Sequence, residues 1–166
     1  MTDAGRSDAS GDGPDPAALA ADADVLAADL FVDGDARDAM DVVRAHDWVT
    51  LVASEPLLND AEAVVAALAD DDLASDWRET IEALATVVDH PDGDHPALSA
   101  AVHGSAAHVL SMDGRLQSAA TGAMLSKRAD VSVKSPAAFA RLFDPERLYP
   151  TVVGGEYPGP DRDPRE

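Results

Sequence analysis

The stretch DHPALSAAVHGSAAHVLSMDG, residues 94–114, joins a helix pattern to a strand pattern in one segment. Residues 96–103 begin with proline and are rich in alanine, which is typical of a helix that packs closely. Residues 107–112, AHVLSM, are typical of a strand. Asp94 and Asp113 stand at the two edges of the stretch, and its interior contains no acid. The segment therefore predicts a helix that leads into a strand of a sheet.

Further strand and helix patterns lie on both sides of this segment. Strands are predicted at ALAA (18–21), WVTLVA (48–53), TVVD (86–89) and VSVK (131–134), and helices at 55–69, 72–85, 114–121 and 136–143. Strands separated by helices predict right-handed crossovers and a parallel sheet that is covered on both faces. The predicted fold class is therefore α/β, a three-layer α/β/α domain with a central, mainly parallel sheet of the Rossmann-like kind.

Composition sets the predicted limits of this domain. Residues 1–16 are mostly Gly, Asp, Ser and Pro, so we expect a disordered acidic N-terminal tail. Residues 145–166 are predicted to form a Pro/Gly/Asp-rich C-terminal tail, which leaves the domain at 17–144. The length of 166 residues suits one core. Cysteine is absent, which excludes disulfides, thiolate nucleophiles and cysteine metal sites.

The charge of the chain is strongly negative. The net charge is -20, from 25 aspartates and 7 glutamates against 10 arginines and 2 lysines. At about 1 M salt the Debye length falls to about 3 Å, which screens most repulsion between surface carboxylates. We therefore expect a salt-adapted, halophilic protein. No segment has a signal-peptide pattern or the roughly 20 apolar residues that span a bilayer, so the expected location is the cytoplasm, without a membrane partner.

Some of the acids follow strands or open helices at positions where a ligand site is expected. In open parallel sheets, ligands bind outside the carboxyl ends of the strands, near the point where the strand order reverses. The acids at such positions are Asp22, Asp24, Asp94, Asp113 and either Asp60 or Glu62. A cluster of carboxylates suits Mg²⁺ or Mn²⁺, which can activate water and stabilise charge during phosphodiester hydrolysis. The pattern thus predicts a metal-dependent phosphodiesterase.

Four short motifs, taken in order, resemble those of the PIN-domain ribonucleases. They are Asp22-Ala23-Asp24-Val25-Leu26 after the first strand, SEPLLND from Ser54 to Asp60, the helix headed by Asp94, and Ser111-Met112-Asp113. The segment Val133-Lys134-Ser135-Pro136, with Phe139, is similar to the final strand, turn and helix of that family. The resemblance covers residues 18–143. It departs from the family in the second motif, where Asp60 replaces the usual Glu and Glu62 follows two residues later.

The resemblance implies a PIN-like fold and a Mg²⁺- or Mn²⁺-dependent endoribonuclease, either toxin-like, as in toxin-antitoxin systems, or engaged in RNA processing. Asp22, Asp94 and Asp113 would hold the metal, with Asp60 contributing directly or through water. The supporting residues would be Asp24, Ser111, Ser54 and Glu62. Helical periodicity cannot choose between Asp60 and Glu62, although the register of Ser54 favours Asp60. RNA would be the substrate, with Arg115 and Lys134 as weaker candidates for contacting it. An antitoxin-like inhibitor and a second copy of the chain are the protein partners that this class suggests.

Each candidate also has a purely structural interpretation. Asp94 precedes His95-Pro96 and could be only a helix N-cap, and the other acids could be solvated surface groups. His90, Asp92, Asp94 and His95 resemble a metal cluster, but their short polar loop favours surface residues. His103 and His108 are expected to cap the turn between them or face solvent. His46 is expected to end a helix, where the dipole favours a cation.

Two other functions remain as alternatives. One is a PIN-like scaffold that has lost catalysis and binds proteins. The other is a receiver-type phosphoacceptor domain with Asp22 and Asp24 as its acid pair, Asp89 as the acceptor, Ser111 as the switch hydroxyl and Lys134 as its lysine. The interval from Asp24 to Asp89 holds two predicted helices where a receiver has room for one crossover, which argues against the second alternative.

Overall fold

Five parallel strands form the centre of the structure, a computed structural model that describes residues 14–90, 95–114, 131–161 and 163. In chain order the elements are β1 (Asp15–Ala21), α1 (Ala23–Phe31), α2 (Asp35–Ala45), β2 (Thr50–Ala53), α3 (Glu55–Leu68), α4 (Asp71–Leu84), β3 (Thr86–Val87), α5 (Pro96–His103), β4 (Ala106–Leu110), β5 (Ser132–Lys134), α6 (Pro136–Leu142) and α7 (Pro145–Val152).

The strand order in the sheet is β3-β2-β1-β4-β5, and each neighbouring pair is parallel. The chain steps outward from β1 to β2 and β3, and then crosses back to place β4 on the other side of β1. Right-handed crossovers on the two sides of β1 put helices on opposite faces of the sheet. The predicted three-layer α/β/α architecture is therefore confirmed, and the sheet is parallel throughout.

This strand order differs from the order 2-1-3-4-5 of receiver-type domains. In that order the third strand lies beside the first, so the phosphoacceptor and the acid pair are neighbours. Here β3 lies at the edge of the sheet, with β2 between it and β1. Asp89, which follows β3, is separated by β2 from the end of β1, where Asp22 and Asp24 lie. The topology thus argues against the receiver alternative.

The core is built on small side chains in the central strand and in the helix that crosses it. Residues 17–21 of β1 are all buried, and four of these five are alanine. Helix α5 lies over β1, β2 and β4 and buries Ala97, Ala100 and Ala101 completely. A Cβ on Gly104, at the end of α5, would lie 2.4 Å from Cγ1 of Val52. Small residues therefore let α5 approach the sheet closely.

Most predicted elements are present with boundaries shifted by a few residues. The helix predicted at 96–103 is confirmed as α5, and the following strand is shorter than predicted, at Ala106–Leu110. The first strand is longer than predicted and begins at Asp15, inside the segment assigned to the N-terminal tail. The helix predicted at 114–121 lies outside the described residues except for Gly114, and residues 1–13 of the predicted N-terminal tail also lie outside them.

The C-terminal segment packs against the end of α2, although its composition predicted a tail. Helix α7 follows α6 directly, and the Tyr149 ring meets the Trp48 ring edge-on at 5.4 Å. Tyr157 Oη lies 2.6 Å from Nε2 of the buried His46, and the backbone N–H of Asp161 donates to the carbonyl of Ala45 at 2.7 Å. As expected, His46 stands at the C-terminal cap of a helix. A few aromatic and polar contacts therefore hold the C-terminal segment against the end of α2, although its sequence has little apolar periodicity.

None of the described helices is long and apolar enough to cross a membrane. The longest of them, α3 and α4, have 14 residues each.

Gly104 offers a direct test of the close packing between α5 and β2. Gly104→Ala should lower the free energy of unfolding by about 1–3 kcal/mol, because the new methyl group overlaps Val52 in a packed core. Urea denaturation in molar potassium chloride measures the effect. Gly114→Ala is the matched control, since a Cβ there meets no described atom within 4 Å. Equal effects of the two substitutions would contradict the packing account.

Candidate functional site

The best candidate for a functional site lies between the carboxyl ends of β1 and β4. These two central strands are hydrogen-bonded neighbours, with Ala21 paired to Leu110, and the pairing ends where the Asp22 N–H donates to the Leu110 carbonyl at 2.8 Å. The chain leaves β1 towards one edge of the sheet and leaves β4 towards the other. This is the point at which the strand order reverses, where open parallel sheets bind ligands.

Asp22 stands at this point as the first residue after β1. It is the N-cap of α1, and its Oδ1 accepts a hydrogen bond from the Ala23 N–H at 2.8 Å. Its Oδ2 accepts from the Ser111 hydroxyl at 3.1 Å, and its side chain is only 14% exposed. The cap and the serine together hold both carboxylate oxygens in fixed directions.

Ser111 connects the ends of three strands. Its backbone N–H donates to the Lys134 carbonyl at 3.1 Å, which continues the β4–β5 ladder by one residue. Its hydroxyl donates to Asp22 and accepts from the Asp113 N–H at 3.1 Å. The residue is fully buried. Ser111 therefore fixes the turn that carries Asp113 relative to Asp22.

Asp24 brings a third carboxylate to this point. Its Oδ2 accepts from the Met112 N–H at 3.3 Å, while its Oδ1 is buried and has no hydrogen-bond partner among the described residues. Burial raises the pKa of Asp24, and the charges of Asp22 and Asp113 raise it further against the backbone hydrogen bonds that lower it. We call Asp22, Asp24 and Asp113 the acid rim. The carboxylates of the rim repel one another, and one oxygen lacks a donor, which is an arrangement that a cation would stabilise.

His95 also contacts the acid rim, although its sequence context favoured a surface position. It is the N-cap of α5, and its Nδ1 accepts from the Ala97 N–H at 3.2 Å. In the neutral ring the proton therefore sits on Nε2, which lies 3.5 Å from Oδ2 of Asp22. The capping function expected of Asp94 thus belongs to His95. Asp94 itself, with Asp92, lies outside the described residues.

A second histidine is held beside the neighbouring strand end. Ser54 follows β2 and caps α3 through its hydroxyl, which accepts from the Leu57 N–H at 3.4 Å. His90 Nε2 lies 2.8 Å from the same hydroxyl. Because Ser54 is fully buried, this serine acts as a structural anchor for the loop after β3 and not as an exposed nucleophile. His90 is therefore half-buried and held by Ser54, although its sequence context favoured a surface position.

The two acids of α3 have different surroundings. Glu62 Oε1 accepts from Arg78 of α4 at 2.8 Å, and the same arginine binds Glu55 and Glu82. Asp60 is exposed, and none of the ion pairs among the described residues includes it. Residues two positions apart in a helix, such as Asp60 and Glu62, lie about 200° apart around its axis. Because Glu62 faces α4, Asp60 lies on the flank of α3 away from α4. Glu62 is thus committed to packing α3 on α4, which leaves Asp60 as the candidate acid of this helix.

The expected RNA-contacting residues do not join the acid rim among the described residues. The ammonium group of Lys134 lies 3.3 Å from Nδ1 of His108, and it lines a cavity together with Phe139 of α6. His108, which was expected to cap a turn or face solvent, is half-buried in β4 against Phe139, with ring centroids 5.5 Å apart. His103 is exposed, as expected, in the last turn of α5. Arg115 lies outside the described residues.

The acid rim only partly meets the requirements of a metal site. Hard cations take oxygen ligands, which three carboxylates supply, and the unpartnered Oδ1 of Asp24 is an oxygen that needs a positive partner. However, the part of the chain that the structure describes contains no group of three His, Asp or Glu side chains already arranged to hold a metal ion. The rim therefore offers suitable ligand atoms for a metal ion, but its carboxylates would have to move closer together to bind one.

A comparison with protein-family models gives one match, which covers residues 13–165 and is described as a family of unknown function, DUF7384. The chain belongs to DUF7384. The match includes the acid rim and also the C-terminal segment after α6, so both lie within the region that defines DUF7384. No curated protein and no solved structure matches the chain.

The raised pKa of Asp24 predicts a specific stability change. A carboxyl whose pKa is higher in the folded state stabilises the fold below its unfolded pKa, and this stability is lost as the pH rises through the folded-state pKa. At neutral pH, without divalent cations, Asp24→Asn should therefore raise the urea midpoint modestly. The gain should shrink towards about pH 3.9, where the wild-type carboxyl also becomes protonated.

Asp76→Asn, at an exposed position on α4, is the control for the general loss of one negative charge. A gain for Asp24→Asn no larger than that of the control would contradict the repulsion inferred at the acid rim.

Proposed function

We propose that this protein is a metal-dependent ribonuclease that hydrolyses RNA phosphodiester bonds at the acid rim, with Mg²⁺ or Mn²⁺ as its cofactor. The observation that carries the proposal is the meeting of Asp22, Asp24 and Asp113 at the switch point of the sheet, with a buried oxygen of Asp24 that lacks a described donor. RNA as the substrate comes from the resemblance of the four motifs to the PIN-domain ribonucleases.

The electrostatics of the acid rim favour a divalent cation. Asp24 lies close enough to Asp22 and Asp113 for both charges to raise its pKa, and it is partly shielded from water. The buried Asp29, whose Oδ1 also lacks a described donor, differs from Asp24 because it is paired with Arg44. A cation at the rim would supply a positive charge beside Asp24, which takes part in none of the ion pairs among the described residues.

Asp22 and Asp113 are the proposed metal-holding residues among those described, and Asp94 and Asp60 are proposed to complete the set. Bound Mg²⁺ or Mn²⁺ would activate water and stabilise the charge that develops on the phosphate. Ser111 positions both Asp22 and Asp113 through its hydroxyl, and Asp24 is placed to hold a water or a ligand in position. Supporting hydrogen bonds of this kind fix the orientation of metal ligands.

His95 has a proposed role in positioning the Asp22 carboxylate. Its Nε2 lies 3.5 Å from Oδ2 of Asp22, the oxygen that also accepts from Ser111. This contact restrains the carboxylate beside the first turn of α5, which His95 caps.

The negative charge of the chain constrains how RNA would bind. A net charge of -20 repels a polyanion at low salt, and this repulsion is screened at molar salt. The proposal therefore includes a cytoplasmic, salt-rich setting, in which metal–phosphate contacts supply much of the affinity. A toxin-like or RNA-processing role, an antitoxin-like inhibitor and a homodimer belong to the same proposal.

A binding scaffold without catalysis is the alternative that one observation favours. The described residues contain no ready-made three-group metal arrangement, and the second motif carries Asp60 in place of Glu. In this interpretation the acid rim would bind a cation weakly or not at all, and the chain would have kept the fold without the activity. Cation binding and RNA cleavage, measured separately, distinguish the two functions.

Metal-dependent cleavage is the first test. In molar potassium chloride with Mg²⁺ or Mn²⁺, the wild type should cleave a labelled single-stranded RNA, and chelation should abolish cleavage. Asp22→Asn and Asp113→Asn should each reduce the rate more than about 100-fold, which is the upper end for loss of a supporting group. Asp76→Asn should keep the wild-type rate, and circular dichroism should show that each variant is folded.

Cleavage that survives both rim substitutions would contradict the proposed site. In a parallel thermal-unfolding series, Mn²⁺ at about 100 times its Kd should stabilise the wild type by about 2.7 kcal/mol, and this gain should be lost in Asp113→Asn. Mn²⁺ stabilisation without cleavage of any RNA would favour the scaffold instead.

The acids of α3 provide a second test. Asp60→Asn should reduce the cleavage rate with little change in stability, because Asp60 is exposed and unpaired among the described residues. Glu62→Gln should do the reverse, lowering stability by up to about 1 kcal/mol through loss of one Arg78 ion pair while leaving the rate unchanged. If Glu62→Gln reduces the rate and Asp60→Asn does not, the assignment is reversed.

A further inference from the structure

A cavity of about 350 Å³ lies on the β4–β5 side of the sheet, beneath α6 and α7. Its apolar walls come from Phe139, Leu142, Phe143 and Leu148, and the rings of Phe139 and Phe143 are 4.9 Å apart. We call this the β5 cavity. It is distinct from the acid rim, since none of the rim residues lines it.

Two cations face the β5 cavity without an acidic partner among the described residues. These are Lys134, which is partly buried at the end of β5, and Arg147 on α7. Arg44 binds two carboxylates and Arg78 binds three, whereas Arg37 binds backbone carbonyls and Arg141 is exposed outside the described ion pairs. Lys134 and Arg147 differ from Arg37 and Arg141 because both line an apolar cavity.

The other polar groups of the cavity offset these charges only in part. His108 Nε2–H donates to the Pro16 carbonyl at 2.9 Å, so its Nδ1 is free of a proton and accepts from the Lys134 ammonium. Burial lowers the pKa of His108, and the charge of Lys134 lowers it further. Asp144 also lines the cavity, but its Oδ1 accepts from the N–H groups of Glu146 and Arg147 as the cap of α7.

We propose that the β5 cavity binds a small organic carboxylate, with its apolar body against Phe139 and Phe143 and its charged group between Lys134 and Arg147. A cavity of this size is at the small end of ligand sites, which accommodates a small molecule and not a folded partner or an RNA strand. Burial also lowers the pKa of Lys134, and a bound carboxylate would offset this cost. The proposal does not depend on ribonuclease activity.

Titration with a matched pair of probes tests the charge requirement. The probes are phenylpropionate and its neutral counterpart phenylpropanol, added to the intact protein in molar potassium chloride without divalent cations. Calorimetry should give a dissociation constant for phenylpropionate at least about tenfold lower than for phenylpropanol. NMR shift changes should locate the bound probe at the rings of His108, Phe139 and Phe143.

Variants test the two cations separately. Lys134→Gln and Arg147→Gln should each weaken phenylpropionate binding several-fold and leave phenylpropanol unaffected. Arg147 is exposed, so its substitution should not impair folding even if that of Lys134 does. Arg141→Gln, on α6 but outside the cavity lining, is the control and should bind as the wild type does.

Three results would overturn the proposal. They are the absence of phenylpropionate binding, equal affinity for the two probes, and unchanged binding in Arg147→Gln. Tighter binding of phenyl phosphate than of phenylpropionate would also overturn the proposal, and it would indicate a phosphate monoester as the ligand class in place of a carboxylate. Since these titrations contain neither RNA nor metal, their outcome is independent of the acid rim.

Discussion

The parallel pairing of β1 with β4 is the constraint on which the candidate site depends. It places Ala21 opposite Leu110, so the residues after each strand, Asp22 and the Ser111–Asp113 turn, meet although they are far apart in sequence. Both strands are buried, and a slip of one residue would turn each side chain to the opposite face. Packing of the core therefore fixes the geometry of the acid rim, and the small residues of α5 make that packing close.

Charge is the second constraint, and it separates structural acids from the proposed functional ones. The chain keeps most carboxylates in solvent or pairs them, as with Asp29 and Arg44. Asp24 breaks this rule, because it takes part in none of the described ion pairs and the charges of Asp22 and Asp113 raise its pKa. Local rules of folding are typically broken at functional sites. The β5 cavity places two cations, Lys134 and Arg147, beside apolar walls.

The sequence predicted the three-layer α/β/α fold and helix α5 well, because proline, alanine and apolar periodicity are local signals. It also placed Asp22, Ser111 and Asp113 correctly at strand ends, since strand order and the reversal rule need no side-chain detail. Helical periodicity could not separate Asp60 from Glu62, and the ion pair of Glu62 with Arg78 could not be foreseen because Arg78 lies on another helix. The contact of His90 with Ser54 and the packing of the C-terminal segment on α2 were also missed. Single tertiary contacts of this kind leave no periodic pattern in a sequence.

The most direct test of the central claim is anomalous diffraction from crystals of the protein soaked in Mn²⁺. The account predicts a manganese peak at about 2.0–2.6 Å from carboxylate oxygens of both Asp22 and Asp113, with Asp24 beside it. Manganese bound only elsewhere, or an acid rim that holds no peak at saturating Mn²⁺, would contradict it.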